Sequence, residues 1–148
     1  IQDAVLLKLP SLLNTLTWST FFGGNQQETG NAVAVSNNDF LYLAGGTNSN
    51  TLPMSTGIDL SFNGGISDGY VAKFNKGSGA LEAGTFMGLN EYDQTYFVQL
   101  DINDDVYVYP LWRKMPALIK WIRASTKWQQ YAASIPAMEY RGSRRRYL

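Results

Sequence analysis

Residues 31–47 read Asn31-Ala32-Val33-Ala34-Val35-Ser36-Asn37-Asn38-Asp39-Phe40-Leu41-Tyr42-Leu43-Ala44-Gly45-Gly46-Thr47. Two short apolar runs flank four residues that favour turns, the pattern of a β-hairpin. The second run, Phe40-Leu41-Tyr42-Leu43-Ala44, is apolar without alternation, which predicts a strand covered on both faces. A second hairpin of the same kind follows 65 positions later, with Phe97-Val98-Gln99-Leu100, the turn Asp101-Ile102-Asn103-Asp104 and Asp105-Val106-Tyr107-Val108-Tyr109.

The 65-residue shift holds without a gap over a longer stretch. It places Ile1 on Ile66, Asp3 on Asp68, Lys8 on Lys73, Leu16 on Leu81, Thr20 on Thr85 and Phe21 on Phe86. It also places Gly23 on Gly88, Asn25 on Asn90, Val33 on Val98, Asn38 on Asn103, Asp39 on Asp104 and Tyr42 on Tyr107. Those are twelve identities between residues 1–44 and 66–109, where chance gives roughly two or three. Four apolar runs recur in each period: residues 5–9 and 70–74, 17–22 and 82–87, 32–35 and 97–100, 40–44 and 105–109. Four antiparallel strands per unit, repeated, predict an all-β chain built as an incomplete β-propeller. The first unit spans 1–65 and the second, truncated one 66–109.

The phrases Leu16-Thr17-Trp18-Ser19-Thr20-Phe21-Phe22-Gly23-Gly24, Asn31-Ala32-Val33-Ala34-Val35, Phe40-Leu41-Tyr42-Leu43-Ala44-Gly45-Gly46-Thr47 and Asp68-Gly69-Tyr70-Val71-Ala72-Lys73-Phe74-Asn75 resemble the SBBP repeat. This β-propeller repeat occurs in large bacterial surface and secreted proteins, including those of gliding bacteria with a C-terminal sorting domain. The resemblance covers residues 1–109, and the second copy departs from it where Ala83 replaces Trp18 and Leu89 replaces Gly24. It implies a propeller, an extracellular or cell-surface location and no shared catalytic residue. The chain starts inside a unit and holds about 1.7 periods, so it reads as an excerpt whose natural partners are the remaining blades of a larger parent. Repeat units that lack neighbours leave faces and edges open, so the chain is expected to self-associate when expressed alone.

Composition narrows the chemistry. The 148 residues include no Cys and no His, which excludes disulfides, thiolate or imidazole metal sites, and any triad with a His base. No apolar run is long enough for a transmembrane segment. The net charge of zero hides a split: residues 1–109 carry three basic and eleven acidic side chains, whereas 110–148 carry nine basic and one acidic. At the same place the repeat stops, because Pro110, Leu111 and Trp112 stand where Gly45, Gly46 and Thr47 lead. Residues 110–148 form a basic tail of non-repeat sequence. Its residues 116–133 suit a helix, with Ala117, Trp121, Ala124, Trp128 and Ala132 on one face, and Arg141, Arg144, Arg145 and Arg146 follow. One reading is a binding element for nucleic acid or an anionic membrane. The others, which expect no nucleic-acid partner, are an out-of-frame continuation of the repeat and a solvated appendage.

Three features invite a functional reading. Asp101, Asn103 and Asp105 place oxygens at alternate positions like the first half of a calcium loop, but Val106 and Trp112 occupy the positions where Gly and Glu are needed, so a hairpin turn is expected. Glu28, Glu91 and Asp93 lie in corresponding loops and could in principle act as acid and base on a glycan. The 45–65 connection, with Leu52, Met54 and Phe62, either presents a protein or glycan ligand site or covers a blade edge and buries Pro53 and Phe62 there. Gly23-Gly24, Gly45-Gly46 and Gly64-Gly65 are expected in tight turns, and Trp18, Phe21, Phe22, Tyr42, Tyr70 and Phe74 in core packing. No catalytic, cofactor-binding or metal residue is assigned. The leading expectation is a non-catalytic structural, adhesive or partner-binding segment; the alternatives are a propeller hydrolase and a tail-mediated binder.

Overall fold

The structure, a computed structural model, describes residues 1–112. The helix expected over 116–133 and the Arg-rich stretch lie outside the described residues. Those that are described form eight strands and no helix: β1 (Ala4–Lys8), β2 (Trp18–Phe22), β3 (Glu28–Val35), β4 (Phe40–Thr47), β5 (Gly65–Asn75), β6 (Leu81–Met87), β7 (Glu91–Leu100) and β8 (Val106–Trp112). Among them no helix is long and apolar enough to cross a membrane. Strands β1 and β2 pair as a separate hairpin. Strands β3, β4, β5 and β6 form an antiparallel sheet, to which β7–β8 is joined by a short parallel contact of Gly65 and Ser67 with Glu91 and Tyr92. The sheets do not close on themselves among the described residues.

The 65-residue period governs pairing as well as sequence. In β1–β2, Ala4 faces Phe22 and Lys8 faces Trp18; in β5–β6, Gly69 faces Met87 and Lys73 faces Ala83. In β3–β4, Glu28 faces Thr47 and Val35 faces Leu41; in β7–β8, Asp93 faces Trp112 and Leu100 faces Val106. Even the irregularity recurs, between Gly30 and Ala32 in one copy and between Thr95 and Phe97 in the other. Strand β8 keeps this register through Pro110, Leu111 and Trp112, although the sequence there has left the repeat.

Alternation along β4 and β5 sends successive side chains to opposite faces. Leu41, Leu43, Tyr70, Ala72 and Phe74 pack on one side against Ala4, Leu6 and Phe22 of the first hairpin. Tyr42, Ala44 and Val71 pack on the other side against Val98 and Val106 of the last. The middle sheet is therefore sandwiched between two hairpins, and β4 is covered on both faces as its unbroken apolar run requires. The two interfaces correspond: Leu41, Leu43 and Leu6 in the first match Val106, Val108 and Val71 in the second. Sheet and period are out of phase, since the four-stranded sheet takes two strands from each period rather than four from one.

Several expectations need correcting. Phe21 is exposed on the outer face of β2, because no described element covers that face, whereas its counterpart Phe86 is buried and packs edge-on against Phe62. In the 48–64 connection Leu52 and Met54 join the first core cluster, while Pro53 points to solvent. The connection does cover an edge, that of β6: Gly84 N–H donates to Thr56 O and Phe86 N–H to Asp59 O. Gly64 and Gly65 sit in a turn with φ of +100° and +75°. Gly45 and Gly46 instead lie within β4, where a Cβ would overlap Thr29 O and the Tyr70 hydroxyl at one position and Gln94 at the other. Finally, Glu28, Glu91 and Asp93 belong to strands and not to loops.

Candidate functional site

Carboxylates collect at one end of the sheets, where each copy brings an acid from β3 or β7 to the turn before it. In the first copy Glu28 is 1% exposed. Its Oε2 accepts from Gly24 N–H at 3.0 Å, and its Oε1 accepts from the hydroxyls of Thr47 at 2.6 Å and Ser49 at 2.5 Å. Ser49 Oγ in turn accepts from Gln26 N–H at 2.7 Å, so the β2–β3 turn and the end of β4 are tied to one carboxylate. A buried charge is tolerated only when so satisfied. Sequence reading found Glu28 but missed its hydroxyl partners; the pairing of Glu28 with Thr47 across the hairpin would have located one of them.

The second copy repeats half of this arrangement. Asp93 Oδ2 accepts from Leu89 N–H at 2.6 Å, the counterpart of the Glu28–Gly24 bond. The positions that supply hydroxyls in the first copy carry Trp112 and Lys114, and the sequence offers no hydroxyl there. Among the described residues Asp93 Oδ1, Asp68 Oδ1 and Thr95 Oγ1 are buried without a hydrogen-bond partner. Burial pushes the Asp93 carboxyl upward, a shift moderated by the Leu89 N–H and reinforced by Glu91. Asp68 is pushed from 3.8 to about 6, first by burial; its bonds from Asn63 oppose the shift, and the charges of Asp93 and Asp59 add to it. Asp68 Oδ2 accepts from Asn63 N–H at 2.6 Å, which closes the long connection onto β5.

The calcium-like string is a turn. Asp101 Oδ1 accepts from the N–H groups of Asn103 at 2.8 Å and Asp105 at 2.9 Å. Asp104, at φ +61°, reaches the neighbouring hairpin and accepts from Asn37 N–H at 3.0 Å and Asn38 Nδ2 at 2.5 Å. Among the described residues no group of three or more acidic side chains could hold a metal ion. Glu28 and one oxygen each of Asp68 and Asp93 thus face backbone donors or hydroxyls inside the protein. A concavity lies elsewhere, beside β8, where Tyr42, Val71, Ala83 and Val106 line it together with Lys73 and Thr85 and the surface left accessible is apolar. Its chemistry suits an apolar side chain more than a reacting substrate.

A scan against models of known families finds no match to this chain, and a search of curated proteins finds no similar one.

Proposed function

We propose that this chain is a non-catalytic segment of a β-propeller of the SBBP-repeat kind, from a bacterial extracellular or cell-surface protein, with a structural, adhesive or partner-binding role. In this reading β3–β4–β5–β6 is a whole blade, β1–β2 the outer half of the blade before it and β7–β8 the inner half of the blade after it. The observation that carries it is the recurrence of every strand pairing in β1–β2 and β3–β4 after 65 residues, around a middle sheet buried on both faces. Loops such as 48–64, where Ile58 and Leu60 are exposed, are the places for a protein or glycan partner. The acids of the candidate site support a structural part rather than acid–base work, because Glu28 and Asp93 are buried and bonded to turn N–H groups.

Tandem proteins made of two to six copies of residues 1–65 test the reading. Unfolding midpoints should rise with each added copy, since each new unit buries one more interface. The longer members should appear as closed rings in electron microscopy. A midpoint independent of copy number overturns the repeat, and an open rod overturns the propeller.

A further inference from the structure

The pair β5–β6 carries Tyr70, Ala72, Phe74, Leu81 and Phe86 on one face, and the protein covers them: four are buried and Leu81 packs against the first core cluster. Their counterparts 65 residues earlier, Val5, Leu7, Leu9, Leu16 and Phe21, are also apolar but all exposed, Val5, Leu7 and Phe21 by 53%, 49% and 74%. Ala4 and Leu6 are buried on the inner side of β1, so Val5 and Leu7 stand on the outer one, where the pairing sets Phe21 beside Val5 and Ser19 beside Leu7. The tip of the hairpin extends this surface. Leu12 and Leu13 are 79% and 71% exposed where the second copy turns through Gly77 and Ser78. Leu13 holds φ at +54°, which costs a side chain of this kind about 1–2 kcal/mol. An apolar pair held open at that cost points to a contact.

We propose that two copies of this chain associate face to face through the outer surface of β1–β2, about a two-fold axis that sets Leu7 of one copy against Leu7 of the other. The area suits a second copy. The five face residues and the two tip leucines expose on the order of 800 Å², more than ordinary monomers leave open in one patch and close to the ~800 Å² that each partner buries in a stable interface. Charge agrees: residues 4–22 hold Lys8 as their sole charged side chain, and its Nζ donates to Lys76 O at 3.2 Å within the chain, whereas residues 23–112 hold ten acids and two lysines. Two acidic molecules therefore meet at the stretch that carries no acid. The outward face of β7–β8 is a poorer match, because exposed Gln99 stands beside Phe97 on it and an amide buried without partners costs free energy. Opposed sheets pack about 10 Å apart, which lets the Leu7 side chains interdigitate at the axis. The contact is isologous and closes at two copies. This inference rests on the repeat reading above for the counterparts and adds to it a partner and a contact.

Sedimentation of the full chain over a concentration series tests it and should show a monomer–dimer equilibrium. Leu7→Lys and Leu7→Glu should each weaken association on the order of tenfold or more, with the far-UV circular dichroism unchanged. An equal mixture of the two should associate more tightly than either alone, because the axis sets the opposite charges together. Ser19→Arg, at an exposed polar position on the same face, should weaken association without removing an apolar side chain. Ile102→Lys, at the exposed turn of β7–β8, should leave it unchanged. Four results overturn the proposal: a protein monomeric at every concentration, association that both Leu7→Lys and Ser19→Arg leave intact, a mixture no tighter than its separate components, or a monomer that instead floats with phosphatidylcholine vesicles, which assigns the face to a lipid surface. If the tandem series gains stability with copy number while the charge pair gives no rescue, the repeat reading stands and the two-fold contact falls.

Discussion

Single carboxylates decide how the turns of this protein are held. Glu28 serves three donors at once, so Glu28→Ala leaves two hydroxyls and the Gly24 N–H without their acceptor. Hydrogen bonds to a buried charge are worth about 1.5–3 kcal/mol each when broken, though not additively; the variant should lose about 3 kcal/mol or more in urea unfolding, and Glu28→Gln distinctly less. Asp68 acts in the opposite sense. Its folded-state value of about 6 lies above the ordinary 3.8, so between those values the folded protein binds more protons than the unfolded chain. Its contribution to stability is complete below about pH 4 and is lost as pH rises through about 6, and Asp93, shifted the same way, adds to the slope. Unfolding midpoints at constant salt should therefore show a decline across this window that is smaller in Asp68→Asn. An equal decline in that variant would assign the effect to other groups. The sequence pointed to Glu28 and Asp93 only as loop residues, and to Asp68 only as part of the repeat. Their burial follows from neighbours on other strands, such as Thr47, that no local pattern marks as partners.

At the level of elements, the first hairpin is held to the middle sheet by an aromatic cluster. Phe22 lies 4.9 Å from the Tyr70 ring and 5.7 Å from the Phe74 ring, centroid to centroid, and is the most buried apolar side chain that β1–β2 contributes. Removing it should cost about 3–5 kcal/mol. Because β1–β2 pairs only with itself among the described residues, the loss should fall first on that hairpin. Limited proteolysis of Phe22→Ala is expected to cut residues 9–17 well before the middle sheet, whereas simultaneous cleavage throughout would show that the layers unfold as one. Strand positions and both hairpin turns were legible in the sequence, because runs such as Phe40-Leu41-Tyr42-Leu43-Ala44 and turns such as Asp101 to Asp104 carry local signals. The order of strands in the sheet was not. Local propensity cannot reveal that β4 chooses β5, reached through the 48–64 connection, over β1. Phe21 misled for the related reason that its apolar character fits the repeat, while its exposure depends on what lies beside the hairpin.

For the whole molecule, burial on two faces against one sets a gradient of local stability. Strands β4 and β5 lie at the centre of the antiparallel sheet and exchange apolar contacts with both flanking hairpins, so opening them disrupts both core clusters. The hairpin β1–β2 contributes to one cluster and presents Val5, Leu7 and Phe21 to solvent on its other face; β7–β8 contributes to the other and exposes Phe97, Tyr109 and Leu111. Opening either hairpin therefore forfeits about half the interlayer packing and can happen without global unfolding. Amide hydrogen exchange at low protein concentration should resolve this order. The amides of residues 41–44 and 70–74 should be slowest, exchanging by global unfolding, while those of 4–8 and 18–22 exchange through a smaller opening that depends weakly on denaturant. Raising protein concentration should protect residues 4–8 selectively if these strands become covered by a second copy, because mass action stabilises only what the partner touches. Uniform protection across all eight strands at low concentration would mean that the layers are one cooperative unit, and the division of the molecule into a two-faced sheet and two one-faced hairpins would then have no energetic counterpart.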